Sequence, residues 1–308
     1  MSRGSKEPTM LFAITHMTRY RYSGPVFLEP HTLRLRPRCD ALQRLIEFRL
    51  ETHPYAVGRS ECVDLDGNAA VRAWFHDVTD AFTIVSTSRV ESRSRSPFDF
   101  LLEAAALTLP DPYDEPLATL LAAYSVRAQP SEAVTRFAAA VMRDVGGKTV
   151  PFLAGLNQRI ADLCTQAIRL DGGPLPPEVT LQERAGSCRD LAVLFMDACR
   201  SVGLAARFVS GYHARDVGRR EEYMHAWAEV YLPGAGWRGF DPSQGLAVAD
   251  RHVAVAAAAT PAGAAPIDGT LRGAGVTATM QVDLELQVSD ASGTRSQTVS
   301  SWAAVEPS

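Results

Sequence analysis

Between residues 10 and 95, short runs rich in β-branched and aromatic residues alternate with clusters of Pro, Gly and Asp, the pattern of antiparallel strands joined by turns. Leu33 and Leu35, then Ile46, Phe48 and Leu50, alternate with polar neighbours at period two, as half-buried strands do. Asp66-Gly67-Asn68 marks a turn inside this stretch, and AFTIVSTSRVES (81–92) supplies one more strand. The expectation is an all-β, sandwich-like or barrel-like domain over 10–97, preceded by a flexible polar leader over 1–9.

The period then changes. Pro97, Pro110, Pro112 and Pro116 punctuate a linker over 98–128, after which 131–143, with Ser131 placed to cap it, and 153–169 carry helical spacing. In GSCRDLAVLFMDACRSVGL (186–204), Leu191, Leu194, Phe195, Ala198, Cys199 and Val202 form one apolar helical stripe. Ser187 and Asp190 have capping-box spacing and Gly203 ends the helix, which sets Cys188 on its first turn. HAWAEVYL (225–232) alternates as a strand, Pro233-Gly234-Ala235-Gly236 turns, and Trp237 to Asp241 returns until Pro242 stops it. The core of an α+β domain is expected over 129–252. Over 253–308 the chain predicts a loop, with AVAAAATPAGAAPIDG (254–269) on the surface, and a late alternating strand at 276–288 that returns to a sheet.

Composition narrows the class. A chain of 308 residues with 46% hydrophobic content and a formal charge of -4 fits a soluble globular protein of two domains, with no nucleic-acid or membrane partner. No apolar run of spanning length and no secretory signal is present, so a cytoplasmic location is expected. Five widely spaced cysteines (Cys39, Cys62, Cys164, Cys188, Cys199) fit reduced thiols.

Of these, Cys188 stands apart. The thiolate is the reactive form of cysteine, and a helix N-terminus offers partial positive charge and unpaired amides that stabilise an anion. The Cys188 backbone N–H is the natural oxyanion donor. A thiol needs a base, and the hairpin returns His225 and Asp241 to one edge, where the imidazole would exchange the proton and the carboxylate fix its tautomer. Two registers remain open. Pairing centred on Pro233 sets His225 opposite Asp241, whereas pairing centred on Gly234-Ala235 leaves them about three residues, roughly 10 Å, apart. A zinc site drawn from Cys188, His213 and His225 lacks a Cys-x-x-Cys or His-x-x-x-His pair to anchor it.

GSCRDLAVL (186–194), LAARFVSGY (204–212) and HAWAEVYLPGAGWRGFDPSQG (225–245) resemble the bacterial transglutaminase-like cysteine proteases. TRYRYSGPVFLEPHTLRLRPR (18–38) and DLDGN (64–68) resemble the β-domain that precedes the core in that family. The resemblance implies a papain-like, transglutaminase-core α+β fold with Cys188 as nucleophile, His225 as base and Asp241 as its orienting acid. Two departures stand out: Asp241-Pro242-Ser243-Gln244 replaces Asp-Pro-Thr-Asn, and His252-Val253-Ala254-Val255-Ala256 runs into uncharged Ala257 to Ala265 where relatives carry Gly-Arg-Asp-Tyr-x-Asp.

The expected reaction is acyl transfer from a peptide or protein amide through a thioester, hydrolytic rather than cross-linking, with no cofactor and no metal. Calcium has no oxygen-rich acidic loop to bind. Gln182 as an oxyanion donor, and Arg189 and Asp190 as participants, are better read as surface and helix-start residues. The rival from another class is a peptide-binding module with an unreactive Cys188.

Overall fold

The computed structural model describes residues 9–93, 96–110, 112–169, 172–214 and 223–290, and the backbone of 297–305; the leader, apart from its last residue, lies outside these. Six strands open the chain: β1 (Met10–Leu28), β2 (His31–Leu33), β3 (Gln43–His53), β4 (Gly58–Val63), β5 (Ala69–Trp74) and β6 (Val78–Ser92). They divide between two antiparallel sheets, with β1, β6 and β3 in one and β2, β5 and β4 in the other. Val26, Leu28, Leu33, Leu35, Phe75, Phe82 and Ile84 fill the space between them. Each such side chain, taken from water, contributes about 1.5–3 kcal/mol.

The helices are α1 (Glu115–Leu120), α2 (Ala122–Ser125), α3 (Glu132–Asp144) and α4 (Thr149–Leu163). Ser131 caps α3, accepting from the backbone N–H groups of Ala133 and Val134. α4 starts earlier than its periodicity predicts because Pro151 lies in the first turn, where no N–H is needed. It also stops at Leu163, not 169, since β7 (Thr165–Gln166) pairs in parallel with β8 (Ala185–Gly186) on the far side of α5 (Pro177–Glu183).

α6 (Cys188–Arg200) then packs on a five-stranded sheet made of β9 (Ala206–His213), β10 (His225–Leu232), β11 (Gly236–Asp241), β12 (Leu246–Ala247) and β13 (His252–Ala258). Leu191, Leu194, Phe195, Ala198 and Cys199 of the helix meet Phe208, Ala226, Ala228, Val230, Leu232 and Phe240 of the sheet in one core. His225 and Trp227, on the alternate positions of β10, belong to the opposite face.

The expected surface loop at 254–269 is corrected. Its first part is β13, an edge strand paired with β9, whose Val255, Ala256, Ala257 and Ala258 are buried. Alternation is lost because both faces are covered and a bulge falls between Ala254 and Ala256. The outer edge of β13 is closed by side chains from the N-terminal region. Gln43 accepts from Ala254 N–H at 2.8 Å and donates to Ala254 C=O at 2.8 Å. Asn68 does the same for Ala257, at 2.8 Å in each direction. Beyond β13 the chain stays tied down, with the Ser210 hydroxyl donating to Ala264 C=O at 2.7 Å.

The late segment holds β14 (Ile267–Asp268), β15 (Leu271–Arg272), β16 (Ala278–Asp290) and β17 (Gln297–Val305). β16 runs antiparallel to β1 from Met10↔Asp290 to Tyr22↔Ala278, and β17 lies outside it, so the end of the chain completes the first sheet. Among the described residues no helix is long and apolar enough to cross a membrane.

Candidate functional site

The first residue of α6 is Cys188, and the turn that presents it is anchored from below. Ser187 and Asp190 close a capping box, the Asp190 carboxylate accepting from the Ser187 N–H at 2.7 Å and its hydroxyl at 2.7 Å. The other carboxylate oxygen accepts from Arg169 at 2.5 Å and from the Leu175 N–H at 2.7 Å. Burial alone would raise this carboxyl, but the Ser187, Leu175 and Arg169 donors outweigh it and hold it below its ordinary value. Replacing Asp190 by alanine should cost about 3 kcal/mol in urea denaturation, because it removes the ion pair with Arg169 and strands the buried Ser187 N–H and hydroxyl. Since the folded carboxyl titrates below the unfolded one, its contribution is present above about pH 3.9 and is lost as pH falls through the folded value.

The hairpin register lies between the two expected from sequence. Leu232 pairs with Gly236 and Ala228 with Phe240, a centre at Gly234 that puts Asp241 opposite Trp227, two residues from His225. Diagonal neighbours on one face are close enough for side chains to meet. The His225 Nε2 and an Asp241 carboxylate oxygen, Oδ2, stand 2.7 Å apart. With Nε2 engaged, Nδ1 is the nitrogen left to serve a thiol, and Cys188 is among the neighbours that raise the pKa of this imidazole. Cys188 itself is half-buried, while His225 and Asp241 are buried.

Electrostatics follow from this geometry. Burial pushes the imidazole of His225 toward neutrality, but the charge and hydrogen bond of Asp241, with Cys188 behind them, hold it protonated well above its ordinary range. Burial likewise opposes ionisation of Asp241, yet His225 and His252 keep it well below the carboxylate norm.

Three further residues complete the cluster and were absent from the sequence-derived triad, His213 having been weighed only as a zinc ligand. Ser243 donates to Asp241 Oδ1 through its N–H at 3.0 Å and its hydroxyl at 2.7 Å. His252 Nε2 lies 3.2 Å from Asp241 Oδ2. The His213 ring stacks on that of His252, centroids 4.2 Å apart. Ser243 was visible as the residue replacing threonine after Asp-Pro, and a hydroxyl is what both residue types share. His252 heads β13, a strand that was not recognised from sequence.

His213, His225, Asp241 and His252 each place one potential ligand atom within 4.8 Å of the others. Cys188 is not in that group, unlike the zinc set considered from sequence. The donor types suit zinc. However, Asp241 Oδ2 already bonds two histidines, and the rings of His213 and His252 stack on each other. The cluster is a hydrogen-bond network around one carboxylate. Gln182 is exposed on α5 and bonds Glu178 at 3.2 Å.

Comparison with known proteins matches residues 12–91 to the bacterial transglutaminase-like N-terminal region and residues 132–242 to the transglutaminase-like superfamily. Cys188, His225 and Asp241 fall inside the second match and His252 outside it. An uncharacterised protein of Mycobacterium leprae is 26% identical over 287 residues, covering 86% of this chain and 94% of its own. One of Mycobacterium tuberculosis is 29% identical over 280 residues, with 85% and 88% covered. The crystal structure of a candidate cysteine protease from Cytophaga hutchinsonii superimposes with a TM-score of 0.69 at 17% identity, covering 96% of this chain and 98% of its own, which shows a shared fold.

Proposed function

Because this chain belongs to the bacterial transglutaminase-like family, we propose that it is a cysteine-nucleophile acyl-transfer enzyme, with Cys188, His225 and Asp241 as its triad. The observation that carries the reading is one buried imidazole, His225, hydrogen-bonded to a buried carboxylate and neighboured by the cysteine at a helix N-terminus. Cys188 Sγ attacks the carbonyl carbon of a peptide or protein amide, and the oxyanion is met by the Cys188 backbone N–H. The C–N bond breaks as His225 gives its proton to the departing amine, leaving a thioester. Water, deprotonated by His225, then releases the acid and restores the thiol. Hydrolysis is favoured over lysine cross-linking, and a reducing, cytoplasmic setting suits a chain whose five cysteines are all unpaired.

Iodoacetamide labelling at pH 6, read cysteine by cysteine by mass spectrometry, tests the reading. Cys39 and Cys62 are the controls, since both are exposed, whereas Cys199 is buried and unreactive for that reason alone. An ordinary thiol is about 0.3% ionised at this pH, so a Cys188 that acts as the nucleophile with His225 as its base should label more than about tenfold faster. His225→Ala should abolish the advantage. Equal labelling of Cys188 and Cys39 would favour a peptide-binding module. With labelling established, peptide amides and glutamine donors offered with and without a primary amine separate hydrolysis from transfer, with Cys188→Ala as the blank.

A further inference from the structure

We infer that His252 is a positioning residue, a second histidine that donates to Asp241 and holds its carboxylate in register with His225. This rests on the acyl-transfer reading and adds a residue from a strand that lies outside the matched core. The two donors to Oδ1 both come from Ser243, two residues along the same segment, and would move with Asp241 if that segment shifted. His252 reaches Oδ2 from β13, a strand separated from β11 by β10 and β9, and so ties the carboxylate to an independent support.

The support is rigid. The ring of His252 is stacked on His213 and meets the Trp227 indole edge-on, with centroids 5.2 Å apart. Two residues on, Ala254 is gripped in both directions by the Gln43 side chain. The protonation state follows from the partners. His252 Nδ1 is buried with no hydrogen-bond partner among the described residues, and an unpaired lone pair is tolerated there better than an unpaired N–H. The proton therefore sits on Nε2, facing Asp241. A charge on this ring would meet desolvation and the nearby His213 and His225, opposed only by Asp241, and burial with these neighbours lowers it to about 4. His252 is thus a neutral donor throughout the range in which enzymes work.

The test compares the full-length protein with His252→Gln, which keeps an N–H near the position of Nε2, and His252→Leu, which does not. Cys188 labelling at pH 6 should fall about tenfold in the leucine variant and recover most of that loss in the glutamine variant. The pH at which His225 deprotonates, followed by its NMR ring signals, should fall in the leucine variant, because a carboxylate no longer held in register grips the His225 proton less tightly. Glutamine should return it toward the wild-type value. If the leucine variant does not fold, His252→Asn replaces it, since its shorter amide cannot reach Oδ2 and should be equally slow. Wild-type labelling and titration in the leucine or asparagine variant would overturn the inference, as would equal slowing by glutamine and leucine, which would mark a packing role. If wild-type Cys188 labels no faster than Cys39, it is the acyl-transfer reading that fails.

Discussion

Asn68→Leu is expected to destabilise the protein by about 3–5 kcal/mol in urea denaturation, among the largest single-residue effects in the chain. The side chain is fully buried and lies 189 residues from its main partner. Its amide nitrogen donates to Asp64 at 3.1 Å and to Ala257 C=O at 2.8 Å, while its oxygen accepts from Ala257 N–H at 2.8 Å and from Arg38 at 2.7 Å. Leucine is close in volume, so little cavity forms and the loss is that of four hydrogen bonds. Two of the partners stranded are backbone groups on the edge of the core sheet, away from water, where an unmade bond costs most. Asn68→Asp should be no better at neutral pH, since a carboxylate cannot donate to Ala257 and would face Asp64. A cost below about 1 kcal/mol for either variant would mean that the sheet edge finds other partners.

This contact also shows where sequence reasoning ran out. The DLDGN turn was legible as a turn because Gly67 has a positive φ of 78° and Asp64 bonds the N–H groups of Asp66 and Asn68. Its function as a clamp on β13 was not, because nothing local encodes a partner so distant. The α6 stripe was legible for the opposite reason: all six apolar positions are buried, and a period of 3.6 survives whatever the helix packs against. β13 failed on both counts. Its alanines show no period because both faces are covered, and its outer edge is satisfied by side chains rather than by another strand. With β13 read as a loop, His252 had no reason to be placed beside Asp241. The hairpin lay between these cases: strands and turn were read from alternation and Gly-Pro chemistry, while the two-residue offset of Asp241 from His225 depends on loop geometry that sequence leaves open.

Asp241→Asn is expected to lower Cys188 reactivity and any acyl-transfer activity by about 10²–10⁴-fold while leaving the fold intact. The carboxylate accepts from three donor residues at once, and an amide cannot. If its oxygen faces His225 and His252, its NH₂ group is turned on the Ser243 N–H and hydroxyl, donor against donor. If it is flipped, the NH₂ group donates to His225 Nε2 and forces the ring proton onto Nδ1, the nitrogen that must take a proton from the thiol. Either way the imidazole loses the charge that does most to keep it protonated, and burial, the largest influence on it, then prevails over Cys188. The stability signature should therefore change sign. In the wild type, the raised His225 pKa contributes stability that is present below about pH 6.5 and is lost as pH rises through the higher folded value. In the variant, His225 joins the buried neutral histidines, whose contribution disappears as pH falls below about 6.5. Urea midpoints at pH 5 and pH 8 read the difference directly. The wild type should lose less than the variant on going to pH 5, and an asparagine variant that keeps the wild-type pH slope and labels Cys188 within a factor of about three would remove Asp241 from the mechanism.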